Sequence, residues 1–136
     1  MKKVLILITM LFSFGTTFSQ KKVVNKVQTF KLGNLEIYKN DLLSKYGKNN
    51  YVFEFEDAQK ACAALGNGWR LPTIEELKNI YAHKNEIGNL TQFSYWTSTL
   101  AYEGSKIAYY IKFTNGTHEF DYNVYTTSSV RPVRSK

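Results

Sequence analysis

At 136 residues the chain has room for one domain with a modest core. Its 43% hydrophobic and 21% charged residues, with two prolines and no low-complexity tract, exclude a disordered, collagenous or disulfide-stapled chain. The formal charge of +7 falls to +5 without Lys2 and Lys3, a mildly basic balance. The one excess is aromatic: ten Tyr, nine Phe and two Trp make 15%, the usage of β-rich or aromatic-surfaced domains.

The first residues read as a leader. Met1-Lys2-Lys3 is a basic start, Val4 to Phe14 an apolar run, and Thr17 and Ser19 supply small residues before a cut at Gln20. The run is too short to span a bilayer, which takes about 20 apolar residues. No later stretch is apolar enough either, and no Cys follows to carry a lipid anchor. Residues 1–19 are therefore expected to be a cleaved signal peptide, and the product to be exported to the periplasm, cell surface or medium.

Residues 20–34 form a basic lead-in with Lys21, Lys22, Lys26 and Lys31, ended by Gly33-Asn34, and the folded domain is expected over 35–136. Leu35 to Tyr38 is a strand candidate, and Lys39 to Asn50 a polar loop. Glu56 and Asp57 then open a helix ending at Gly66-Asn67-Gly68, with Ala58, Ala61, Cys62 and Leu65 as its apolar stripe. The stripe makes Cys62 a buried, inert thiol rather than a reactive one.

Pro72 precedes a second helix that starts on a capping box, Thr73 with Glu76, and carries Ile74, Leu77, Ile80 and Tyr81 on one face. This helix is expected to run through His83 and Lys84 to Gly88, with His83 a solvated side chain near its negative end. Tyr95 to Thr99 and Ile107 to Phe113 follow as strands.

Asn115-Gly116 favours a two-residue type I′ hairpin. That register pairs Phe113 with His118, Lys112 with Glu119 and Ile111 with Phe120. It predicts one apolar core face carrying Ile107, Tyr109, Ile111, Phe113, His118, Phe120 and Tyr122. Tyr110, Lys112, Glu119 and Asp121 form the polar face. His118 is thus expected to be a structural histidine among core aromatics.

The helix Asp57 to Leu65, the run Gly68-Trp69-Arg70-Leu71-Pro72-Thr73-Ile74-Glu75-Glu76-Leu77, then Tyr95-Trp96-Thr97-Ser98-Thr99 and Val130-Arg131-Pro132-Val133-Arg134 together resemble a bacterial family. It is the Lcl C-terminal domain family, named for a terminal domain of a collagen-like adhesin and long a domain of unknown function. The resemblance covers about Leu35 to Arg134. It implies an α+β chain with the C-type lectin-like fold, two helices on a small, mainly antiparallel sheet with the termini close together. It also implies kinship with Fibrobacter-type major paralogous domains and, distantly, with the formylglycine-generating sulfatase-modifying enzymes.

Three departures from the pattern bear on function. Family members often carry a second Cys in the last segment, and Pro132 stands there, which leaves Cys62 unpaired. The enzymatic relatives use two cysteines, and this chain has one. The calcium-binding Glu-Pro-Asn, Gln-Pro-Asp and Trp-Asn-Asp motifs of sugar-binding lectins are absent, so neither metal nor other cofactor is expected. No phosphate loop, HExxH, GxSxG or CxxC occurs.

Glu75-Glu76 is no catalytic pair, because adjacent helical residues diverge and Glu76 already caps. Trp69, Arg70, Leu71, Trp96, Arg131 and Arg134 are read as structural, with Arg70 tying helix to sheet.

The function expected is a non-enzymatic, carbohydrate-binding module, adhesin-like, for glycans of the envelope or outside the cell. Acidic polysaccharides are favoured, through Tyr102, Lys106, Tyr110, Lys112, Tyr122 and Tyr125. The alternative is a structural or protein-interaction domain of the cell envelope, presenting the segment Leu100 to Lys106. An enzyme ranks third. Nucleic acid ranks last, since the charge is too dilute for a basic stripe.

Overall fold

The computed structural model describes residues 27–45 and 50–136. The expected leader, the start of the lead-in through residue 26 and part of the polar loop (46–49) lie outside them. Two sheets and three helices make an α+β chain. β1 (Thr29–Leu32), β2 (Leu35–Tyr38) and β8 (Val133–Ser135) form an antiparallel sheet in that order. The second sheet has the order β3 (Val52–Glu54), β7 (Thr127–Ser129), β4 (Ser94–Leu100), β5 (Ala108–Lys112), β6 (His118–Glu119). All its pairs are antiparallel except β4 with β7. Among the described residues no helix is long and apolar enough to cross a membrane.

β1 lies inside the basic lead-in, where no periodicity marked it. Its pairing with β2 turns on Gly33, whose φ of 57° is left-handed and costs glycine nothing. Since β2 also pairs with β8, the two ends of the described chain share one sheet.

α1 (Phe55–Ala64) and α2 (Ile74–Ala82) form where the sequence places them. The capping box is present in full: Glu76 N donates to Thr73 Oγ1 (3.2 Å) and Thr73 N to Glu76 Oε2 (2.8 Å). The helix does not run unbroken to Gly88. It breaks at His83 (φ −106°), and α3 (Lys84–Ile87) follows, a single turn that drops Ile87 into the core. His83 is half-buried, its Nδ1 2.9 Å from the Asn79 carbonyl oxygen.

Helices cover both faces of the five-stranded sheet, because consecutive residues of β4 point in opposite directions. Tyr95 packs with Leu77, Ile80, Ile111, Phe113, Ile37 and Val133 under α2. Trp96 packs with Phe53, Phe55, Ala58, Cys62 and Ala108 under α1. Each fully buried Leu or Ile stabilises by about 1.5–3 kcal/mol relative to exposure.

The hairpin register differs from the sequence expectation. Ile111 faces His118 and Tyr110 faces Glu119, so the loop is Phe113 to Gly116, four residues rather than two. Phe113 is the cause. Its N–H donates to the Phe93 carbonyl (2.8 Å) and its ring packs on Tyr95 and Tyr81, which pulls the chain off the ladder after Lys112. Gly116 N then closes on Lys112 O at 2.7 Å, and Asn115 Oδ1 accepts from Thr117 N.

The shift of two preserves the alternation of faces, yet His118, Phe120 and Tyr122 are exposed, not core. The expected polar face is corrected too, since Tyr110 packs edge-on against Trp96 at 5.8 Å.

Candidate functional site

The Trp69-to-Glu76 segment stitches the two sheets to α2. Arg70 exchanges backbone hydrogen bonds with Val133, and its guanidinium grips Glu76 with two donors at 2.7 and 2.9 Å. The pair raises Arg70 and lowers Glu76 from their usual values, mainly through these hydrogen bonds. Leu71 is buried, and the Pro72 carbonyl accepts from Ser98 N. Trp69 holds the Tyr38 ring edge-on at 5.2 Å and the Arg134 guanidinium at 4.6 Å. Arg134 donates to Glu36 at 2.8 Å. Arg131 is wholly buried against Asp41 and the carbonyls of Tyr38, Lys39 and Asn89. The motif arginines are thus occupied inside the fold.

Burial pushes the Cys62 thiol up to about 12, which removes the thiolate that nucleophilic chemistry needs. Among the described residues no three His, Cys, Asp or Glu side chains cluster to hold a metal.

The residues expected to meet a ligand separate into three groups. Tyr102 and Lys106 are exposed on the β4–β5 loop. Tyr110 and Lys112 share Glu119: Lys112 Nζ lies 2.7 Å from its carboxylate, and the Tyr110 hydroxyl donates to it at 3.5 Å. Burial pushes the Tyr110 phenol up, and Glu119 raises Lys112. Tyr122 (75% exposed) and Tyr125 stand out on the β6–β7 connection, which Asp121 and Asn123 hold by accepting from Asn123 N and Tyr125 N.

A fourth feature was hidden in the alternation itself. Tyr109 meets His118 (5.7 Å between centroids) and Phe120 (5.1 Å), and Phe120 meets Tyr122 (5.4 Å), all edge to face. This chain of rings runs across the end of the sheet onto the edge strand β6. The periodicity grouped the same residues on one face. It held no signal that α2 covers Ile111 and stops short of Tyr109.

Residues 19–134 match the family model described as the Lcl C-terminal domain. No curated protein matches the chain.

Proposed function

The chain belongs to the Lcl C-terminal domain family, and from that membership we propose that it is an exported, non-enzymatic binding module for glycans of the envelope or the cell exterior. The observation that carries the reading is the ring chain Tyr109–Phe120–Tyr122, half-buried at Tyr109 and exposed at Phe120 and Tyr122, an aromatic surface of the kind that packs on the C–H faces of sugar rings. Tyr102, Lys106 and Tyr125 are exposed on the neighbouring connections as further candidate contacts. Tyr110 and Lys112 act behind it, since Lys112 is neutralised by Glu119. The basic balance of the mature chain steers acidic polysaccharides toward the surface, while the rings supply the contact. The leader-like start supports export. The buried Cys62 thiol, at about 12, supports a role without covalent chemistry.

The test is binding of residues 20–136 to an array of neutral, uronic and sulfated polysaccharides at low and high salt, with Tyr109→Ala, Phe120→Ala and Tyr122→Ala beside the parent. Each truncation is expected to weaken binding about tenfold, the effect of about 1.4 kcal/mol. High salt should weaken only the acidic ligands. Loss of ring dependence would overturn the reading. Failure of every glycan, with capture of an envelope protein that the same three variants abolish, would establish the interaction-domain alternative.

A further inference from the structure

The turn between α3 and β4 is built unlike an ordinary surface loop. Gly88 and Asn89 are consecutive left-handed residues, with φ of 70° and 56°. The buried Arg131 holds them by donating to the Asn89 carbonyl. Three residues on, the Tyr95 hydroxyl accepts from Gln92 N at 3.1 Å and donates to Asp41 at 2.8 Å. Phe93 is fixed through its carbonyl, which accepts from Phe113 N, while its ring stands 62% exposed. The loop is therefore anchored from beneath at Asn89, Gln92 and Phe93, with Leu90 packed on the core, Thr91 and the Phe93 ring exposed, and the half-buried Gln92 amide donating to Thr91 Oγ1 at 3.3 Å.

Those side chains border two open cavities of about 610 and 380 Å³, which share Asn89, Thr91 and Gln92. The larger also has Asn85, Thr114 and the Phe93 ring on its wall. Amides and hydroxyls both donate and accept, as sugar hydroxyls do. An exposed phenyl ring beside them offers a face for the C–H side of a pyranose. Of the charged residues at the border, Asp41 is held by Arg131 and Tyr95, while Lys84 lies over the Tyr81 ring at 4.2 Å and keeps its charge.

From this arrangement we infer that the Asn85–Phe93 loop is a second binding site, taking an uncharged pyranose by hydrogen bonds from Asn85, Thr91 and Gln92 and by stacking on Phe93. It shares no residue with the Tyr109–Phe120–Tyr122 surface, so the two stand or fall separately. Its ligand differs in kind as well, because the groups that would hold it are amides, a hydroxyl and a phenyl ring, none of them charged.

The experiment is an NMR titration of the ¹⁵N-labelled 20–136 chain with methyl mannoside, methyl galactoside, N-acetylglucosamine and cellobiose, and with glucuronate as the charged comparison. Phe93→Ala, Gln92→Ala and Tyr122→Ala are titrated in parallel. Phe93 and the Gln92 side chain are outside the core, so both variants should fold, and their spectra show whether they do. The expected result is saturable shifts of the Asn85–Phe93 amides with at least one neutral sugar. Phe93→Ala and Gln92→Ala should weaken them about tenfold, and Tyr122→Ala should leave them unchanged. No shift in this loop up to the solubility of every neutral sugar would overturn the inference. So would shifts indifferent to both loop variants, or a stronger response to glucuronate.

Discussion

Arg131 and Asp41, ninety residues apart in the chain, form an ion pair at 2.7 Å with side chains 0% and 4% exposed. Arg131, in the link between β7 and β8, fastens the first loop after β2 to the Asn89 turn, and Tyr95 completes the cluster from β4. Removing one partner leaves the other charge buried without compensation, at a cost of about 3–5 kcal/mol. Arg131→Met should therefore lower the free energy of urea unfolding by that much, a large share of the roughly 5–15 kcal/mol typical of a domain. Adding Asp41→Asn should restore part of the loss, since the stranded carboxylate disappears. A loss below about 1 kcal/mol for Arg131→Met would show the cluster to be dispensable.

Acid should destabilise the fold through Glu36 and Glu76, not through Asp41. Hydrogen bonds from Arg134 and then Thr29 hold Glu36 low, and the Arg70 hydrogen bonds hold Glu76 low. A carboxylate lowered by folding contributes stability present above its unfolded value, about 4.3, and lost as pH falls through its folded value. Asp41 has the opposite sign. Burial, outweighing Arg131, raises it, so the folded state takes up this proton first, and its contribution declines as pH rises through the raised value. The Glu36→Gln, Glu76→Gln double variant should be less stable than the parent at neutral pH, and the gap should close in acid, as pH falls through their lowered folded values. Urea midpoints at both pH values decide it. A gap that persists undiminished in acid would assign the losses to packing instead of charge.

The elements legible in the sequence were those with local causes. The capping box at Thr73 and Glu76, the Ala58–Cys62 stripe and the alternation of Tyr95 to Thr99 each declare themselves within a few residues, and each stands in the structure. Thr29–Leu32 and Thr127–Ser129 did not, because strands of four and three residues are too short to declare themselves by alternation and are fixed by the strands they pair with. The hairpin misled for a related reason. Asn115-Gly116 prefers a two-residue turn, but Phe113 binds Phe93 and the Tyr95 ring, and tertiary packing overrode the turn preference. The ring chain was legible as a face and illegible as a surface, since exposure depends on where α2 ends over the sheet. The Asn89 loop was illegible altogether, its anchors Arg131 and Asp41 being distant in sequence.

Cys62 offers a readout of the fold's opening. Its thiol is buried between Ala58 and the Trp96 side of the sheet, and desolvation pushes it up to about 12. A thiol with an ordinary value, about 8.5, has a few per cent thiolate near neutrality, whereas this one has almost none while folded. Since Cys62 is the one cysteine in the sequence, no internal disulfide competes. The folded protein should therefore be inert to a thiol reagent such as dithionitrobenzoate at pH 8, and react at once in denaturing urea. Across variants the slow reaction of the native state should follow stability, the logarithm of its rate rising for Arg131→Met in proportion to the lost free energy, because labelling requires the helix to open. Rapid stoichiometric labelling of the native parent would mean that α1 opens locally without the rest of the fold, and that this thiol is available to a partner.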